Sequence, residues 1–477
     1  MNARDSLRLV LASGSGRLGV AFLAALVLVS AFVLLRFPLD FGPRRWNNPA
    51  QWADNPKAAP PVWWSVIHRE RFVPHTIFAG TEQASVAQVA GGQERLYRFT
   101  YAHKGLSPPT FMAFVLSDVS FHDRPPVVSV DVVRPDGRSV TLLQTVVRGS
   151  RPGESPPYLR YQETPLRINL SGNQESVDAV STMMRREFGV ALTPAELQGK
   201  LEEALFGIPV EGSPGEFQPL NGTYQLNVRA MVGDASDTLG GVKLILGGTA
   251  YGMMGTDALG RDLALGLLFG FPIALAIGLS TSILSTVIGT VLGILSGFLG
   301  GKTDIAIQRL SDVWSNIPLL PILIFLVFIL GQKLWLVVVI MILFGWPGLT
   351  IVVRSMVLQM RTGQLVEATQ ALGASRKRIM FRHILFQIAP FVFAQMIFFT
   401  PAAILAEAGL SFLGLGDPSI PTWGQILESG FRTGAVYVGY WWWVLPPGLL
   451  IVATAMTFAL VTLSLEPIIN PRLRTMR

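Results

Sequence analysis

The chain has no cysteine, which excludes disulfides, thiolate metal sites and cysteine nucleophiles and leaves the redox compartment open. Charge is scarce too, at 14% of residues, against roughly 25% in soluble domains. There are only five histidines, all scattered, and neither a His-Glu-x-x-His pair nor a Gly-x-x-x-x-Gly-Lys-Ser/Thr phosphate loop occurs. No catalytic constellation, metal centre or nucleotide site is therefore expected on this chain. What it has in quantity is apolar: 50% of the 477 residues are hydrophobic, the mean hydropathy is +0.45, and several uncharged runs are long enough to place it among integral membrane proteins. The net charge of +7 does not point to nucleic acid, because much of the Lys and Arg flanks apolar runs, where it reads as membrane orientation.

Arg4, Arg8 and Arg17 precede an uncharged run over 18–35 that has no small-residue cleavage site before Arg36, so it reads as an uncleaved first span. Its basic leader is expected in the cytoplasm and residue 38 onward outside. Residues 38–250 are rich in Pro, Gly, Arg and Trp with alternating segments, too polar for the bilayer and long enough for a core of their own. Residues 127–133, then Arg134-Pro135-Asp136-Gly137, then 139–147 predict a β-hairpin. Similar alternation over 95–101 and 223–232 favours a β-sandwich. Thr193-Pro194-Ala195-Glu196 has the hydroxyl cap, N1 proline and N3 acid of a helix start, followed by Leu197, Leu201 and Leu205 on one face, and that helix is expected to stop at Gly207. Val177, Val180 and Met184 predict a partner helix over 176–188.

Apolar runs return at Leu263. Pro272 suggests a short surface helix and then a span over 273–298. Residues 313–332 and 334–353, divided by Lys333, read as two spans, followed by 384–406 and 437–465. The fold class expected is a six-helix, all-α polytopic membrane domain with a large inserted extracytoplasmic domain, a β-rich sandwich with a helical insertion. Three segments follow: 1–37, the cytoplasmic N-terminus and first helix; 38–250, the soluble domain; and 251–477, the membrane domain. With the N-terminus inside, Lys302, Arg309, Arg354, Arg361, Arg376, Lys377, Arg378, Arg382, Arg472, Arg474 and Arg477 fall on the inner side, against Lys333 and Arg432 outside. Both termini are thus expected in the cytoplasm, and the 38–250 domain outside.

The polar, basic stretch over 354–386 interrupts two spans and should lie in the cytoplasm. A short helix over 365–372, closed by Gly373, would put Leu365, Ala368 and Leu372 on one face and Glu367, Gln370 and Ala371 on another. The second face is small with one acid, suited to close approach of another surface. Arg376, Lys377 and Arg378 then open a new helix, where the dipole disfavours cations; attraction to anionic membrane lipid accounts for them better.

Glu367-Ala368-Thr369, then Gly373, then Ile384-Leu385, resembles the "EAA" loop of binding-protein-dependent ABC transporter permeases, with Thr369 for the third residue and Phe386 where that family has proline. Gly255-Thr256-Asp257-Ala258-Leu259-Gly260-Arg261-Asp262 resembles the GTDxLGRD segment of the dipeptide and oligopeptide branch. Gly300-Gly301-Lys302-Thr303-Asp304 with Arg309, Asp312 and Pro318, and Leu410-Ser411-Phe412-Leu413-Gly414-Leu415-Gly416 followed by Pro421-Thr422-Trp423-Gly424, are similar to further segments of its C-type subunit. The resemblance covers about residues 251–475, with 1–37 as the first span.

It implies a permease of the bacterial inner membrane, not itself an enzyme, forming with a second, homologous permease a pathway for peptides or peptide-like solutes. Two cytoplasmic ATPase subunits would hold the ATP and Mg, and an extracytoplasmic binding protein would deliver solute. The loop residues Glu367, Ala368, Ala371 and Gly373 would dock the ATPase. Asp257, Arg261 and Asp262 read as capping and pairing groups, with a gate contact as the alternative. Glu407 reads as a polar anchor near the outer end of its span, with a place on the pathway as the alternative. Trp441, Trp442 and Trp443 read as an interfacial belt. The large 38–250 domain departs from the branch, and a different reading of the whole is a membrane-anchored receptor or sensor whose β-domain binds ligand.

Overall fold

The computed structural model describes residues 10–38, 40–68, 72–80, 85–89 and 91–469. Arg4 and Arg8 of the basic leader and Arg472, Arg474 and Arg477 of the tail lie outside the described residues. The chain divides into a helical unit, Met1–Pro49 with Leu263–Arg477, and a β-rich unit, Ala50–Asp262. Helix α1 (Gly14–Arg36) is capped by Ser13, whose hydroxyl accepts from the Gly16 amide at 3.0 Å.

Among its described residues the β-rich unit has twelve strands: β1 (Thr76–Gly80), β2 (Ser85–Val89), β3 (Gly92–His103), β4 (Met112–Phe121), β5 (Val127–Val133), β6 (Ser139–Val146), β7 (Tyr158–Arg160), β8 (Leu166–Asn169), β9 (Gly207–Val210), β10 (Ser213–Pro219), β11 (Gly222–Val232) and β12 (Thr238–Leu246). One sheet has the order β1-β12-β4-β7 with β8 also on β4; the other is β2-β3-β11-β5-β6; β9 and β10 pair separately. Alternation in the sequence becomes alternation in burial: Tyr224, Leu226, Val228, Ala230 and Val232 of β11 point inward while Gln225 and Arg229 do not. Those residues share one core with Phe114 and Leu116 of β4, so the two sheets close on each other. The expected hairpin is β5 and β6, antiparallel, with Arg134 and Arg138 closing its turn.

The helical insertion lies on this core. Helix α2 (Gln174–Phe188) buries Val177, Val180 and Met184. Thr193 and Glu196 form the expected capping box, but the helix they start does not run to Gly207. It splits into α3 (Pro194–Leu197) and α4 (Leu201–Leu205) around Gly199, whose φ of +84° is left-handed. Leu197, Leu201 and Leu205 are nevertheless all buried, so the apolar pattern was right and its continuity was not.

In the helical unit, Leu263–Leu299 is one helix, α5, with Pro272 inside it, rather than a surface helix followed by a span. The proline comes in the third turn, where it costs one backbone bond, and its ring is buried among neighbours that hold the helix together. Helix α6 (Gly301–Asn316) and helix α7 (Leu319–Leu330) meet at a 77° bend, so the straight span expected over 313–332 is instead a broken pair. Pro318 explains the break, since it forces Ile317 into extended backbone, at φ −78° and ψ 125°. Helix α8 (Leu334–Gly345) and helix α9 (Pro347–Arg361) run on to Arg361, so the first two turns of the expected polar loop are the end of a membrane helix. Then come α10 (Gln364–Ala371), α11 (Leu385–Phe412), α12 (Trp423–Arg432) and α13 (Trp441–Ile469). Among the described residues five helical stretches are long and apolar enough to cross a membrane, and the bent α6–α7 pair makes a sixth. Trp442 and Trp443 are buried inside the unit, at 6% and 2% exposure, so these two are packing residues rather than an aromatic belt.

Two buried groups in the β-rich unit generate tests. The Arg134 guanidinium, 2% exposed, donates to the carbonyls of Ala204, Leu205 and Gly207 at 2.8–3.1 Å and pairs with Asp136, tying the hairpin turn to the end of α4. Arg134→Met strands those carbonyls, so hydrogen-exchange protection around 201–207 should fall by an amount corresponding to about 2–5 kcal/mol. Burial pushes the Glu202 carboxyl above its ordinary 4.5, against a weaker hydrogen bond from Ser171. A raised folded-state value means stability is present below 4.5 and lost as pH rises through the folded value. Glu202→Gln should therefore protect α4 more than wild type at pH 8 and no more at pH 4, by the same exchange measurement.

Candidate functional site

Helix α10 has a single anchor. Val366 is 1% exposed and packs with Val357 of α9, with Ile294 and Phe298 of α5, and with Ile379, Met380 and Ile384 of the following turns. Most of the remaining helix faces outward in this chain: Glu367, Ala368 and Ala371 are exposed, and Leu365 and the following Leu372 are 49% and 85% exposed, whereas Ile384 further along the loop is buried. Glu367 makes no ion pair among the described residues. The Thr369 hydroxyl donates to the Leu365 carbonyl within the helix, so the departure from the third small residue is absorbed locally. Gly373 ends the helix with φ +77°, its amide donating to the Gln370 carbonyl and that of Ala374 to Thr369, which turns the chain as only glycine does without strain. Ser375 then caps the next helical turn, in which Arg376, Lys377 and Arg378 are exposed while Ile379 and Met380 are buried.

Sequence reasoning singled out the exposed face of α10 and missed Val366, because a single buried position in an eight-residue helix leaves no periodicity to read. It also missed what positions α10. Gly289, Gly293 and Gly297 form a ridge on α5, and a Cβ on any of them would come within 2.7–2.8 Å of α9 or the residue just before it, at Trp346, Val353 and Arg354. The small-x-x-x-small spacing was the available signal. On the same side of α9, Arg354 makes a two-pronged pair with Asp304, Nε to Oδ1 at 2.5 Å and Nη2 to Oδ2 at 2.6 Å. Ser296 of α5 also donates to Asp304 at 2.5 Å, so one carboxylate joins α5, α6 and α9.

The remaining candidates lie elsewhere. Asp257 is 1% exposed in the β-rich unit; its Oδ1 accepts from the amides of Leu259 and Arg261 at 2.9 Å, and its Oδ2 pairs with Arg261 Nε. The turn is stitched to 55–59: Thr256 donates to the Pro56 carbonyl and accepts from Ala59, while Asn55 donates to Gly260. Asp262 bridges back to Thr256. The structure thus brings Asp257, Arg261 and Asp262 together in one turn. Glu407 of α11 is 4% exposed and accepts from Ser411 at 2.7 Å. It sits behind a tight seam in which a Cβ on Gly424 would be 2.7 Å from the Ala408 backbone, and Trp423 donates to the Leu267 carbonyl at 2.9 Å.

A family model described as a binding-protein-dependent transport system inner membrane component matches residues 289–475, which include α10, the glycine ridge and Glu407. The chain is 33% identical over 221 residues to the dipeptide transport system permease protein DppC of Bacillus subtilis, covering 46% of this chain and 68% of that one. It is 36% identical over 219 residues to the oligopeptide transport system permease protein OppC of Escherichia coli K12, covering 46% and 72%. The corresponding OppC of Bacillus subtilis is 34% identical over 221 residues, covering 46% and 72%. A short, exposed helix on a multi-pass helical unit agrees with those likenesses. This chain belongs to the binding-protein-dependent ABC transporter permeases, in the dipeptide and oligopeptide branch, as a transport subunit rather than an enzyme.

Proposed function

We propose that this permease is the C-type subunit of an ATP-driven importer for peptides or peptide-like solutes, lining a pathway together with a second, homologous permease. Two cytoplasmic ATPase subunits hold ATP and Mg, and a binding protein outside delivers the solute. Both termini lie in the cytoplasm and the β-rich unit lies outside. The observation that carries this reading is α10: an eight-residue helix held by Val366 alone, with Glu367, Ala368 and Ala371 presented outward and Gly373 ending it. Small side chains let a partner surface approach closely, and one carboxylate sets its register. When the ATPases close, they push α10. The push reaches α5 through Val366 and the glycine ridge, and α6 through the Arg354–Asp304 pair.

The test is the assembled transporter in proteoliposomes, scored as solute taken up per ATP hydrolysed. Glu367→Lys reverses the register charge, and Gly373→Trp puts a bulky side chain at a positive φ, a strain of about 1–2 kcal/mol. Both variants should insert normally and lose coupling by about 5–150-fold, the span of typical coupling free energies. Normal uptake in both would sink the proposal.

The same reading gives the β-rich unit a place beside the binding protein. Val73 and Thr249 hydrogen-bond to each other at 2.9 and 3.0 Å, so the two strands of chain leading into the sheets run side by side there. Replacing residues 75–248 by a short glycine-serine linker should therefore leave the spans and the Asp257 turn in place. Affinity of the binding protein for the transporter is expected to fall by at least about tenfold, or 1.4 kcal/mol; an unchanged affinity would count against this role.

A further inference from the structure

The β-rich unit contains a cavity of about 660 Å³, between the stretch that leads into β1, the end of β3 and the stretch after β12. That volume is in the range of small-ligand sites, roughly 300–1,000 Å³. Its walls are mainly apolar and aromatic, with Val62, Phe72, Val73, Tyr101 and Tyr251. His75 lies in the wall, its ring edge-on to Tyr251 at 5.5 Å, and both its ring nitrogens are buried without a hydrogen bond of good geometry among the described residues. Burial holds this imidazole below its ordinary pKa, against weaker opposing effects of the Leu246 backbone and Asp54, so it is uncharged at neutral pH and offers one donor and one acceptor. Among the described residues of the lining the one charged side chain is Lys104, which is exposed and makes no ion pair with another described residue. Asp54 and Asp262 are near enough to act on His75 and Tyr251, but neither lines the cavity, and Asp54 is paired with Arg167.

We propose that this cavity is a ligand site for a carboxylate with an apolar or aromatic body, the carboxylate at Lys104 and the body against Phe72, Tyr101 and Tyr251. A cation ligand would find no carboxylate among the described residues of the lining, and a wholly apolar one would leave the Lys104 ammonium unmatched. Apolar walls with a few placed polar groups are the usual composition of a small-ligand site. The site is independent of what the transporter carries, because binding is read on this chain alone.

The experiment is calorimetry on the intact chain in detergent with three probes: Gly-Gly-Phe, its C-terminal amide, and 3-phenylpropionate. Gly-Gly-Phe should bind at least about tenfold more tightly than its amide. Lys104→Ala, an exposed substitution, should erase that difference. Ala102→Trp, which fills the cavity from an exposed strand position, should abolish binding without lowering the melting temperature. If 3-phenylpropionate matches the tripeptide, the site takes a free acid; if it is about tenfold weaker, the site reads a peptide end, and either result supports the proposal. Equal binding of acid and amide, undiminished binding in Ala102→Trp, or no saturable binding of any probe would overturn it.

Discussion

The closeness of α5 to α9 is the constraint on which the functional part of the helical unit depends. Lipid is as apolar as leucine, so burying apolar surface gives two membrane helices little reason to associate; close backbone approach and polar pairs do. Here the approach is made by Gly289, Gly293 and Gly297, and the polar pair is Arg354 with Asp304. Thr350 adds a hydroxyl bond to the Gly289 carbonyl at 3.2 Å. Because α9 continues into α10 after only Thr362 and Gly363, fixing α9 on α5 also fixes where α10 is presented.

An eight-residue helix in water is marginal on its own. Its order must come from tertiary packing, and the single packed side chain is Val366. That leaves the rest of the surface uncommitted within this chain, which is what a contact element for another subunit requires. The contrast with the Asp257 turn is instructive. There the acid is spent internally, on two amides and a guanidinium, whereas Glu367 at the exposed loop makes no ion pair among the described residues. Two acids in motif segments thus differ in their local surroundings, one closing a turn and one exposed without an ion pair among the described residues.

What could be read in the sequence follows from how local the physics is. The capping box at Thr193, the β5–β6 hairpin and the close of α10 at Gly373 depend on a few neighbouring residues and appear where the pattern placed them. Apolar runs located the spans but not their shape. Pro272 was read as a break and is contained in a helix, while Pro318 was read within a motif and produces the 77° bend. Proline costs the same backbone bond in both places; buried neighbours compensate at the first, and the extended residue before the second does not allow the helix to pass. Val366, the Arg354–Asp304 pair and the inward-facing Trp442 and Trp443 depend on residues tens of positions apart, and no local pattern contains them.

Arg134 shows the same logic away from the membrane. A buried guanidinium is a costly group unless every donor is used, and here the donors meet the carbonyls at the end of α4 and the Asp136 carboxylate of the hairpin turn. Burial alone would raise the Asp136 carboxyl, yet hydrogen bonds from Arg138 and the charge of Arg134 hold it below its ordinary value, so the turn keeps its negative charge under its two arginines. The Arg-Pro-Asp-Gly turn is therefore more than a reversal of direction. Arg134, held by Asp136 in the turn, also attaches the helical insertion to the hairpin, and together with the buried Leu197, Leu201 and Leu205 it orders helices only four and five residues long on the sheet.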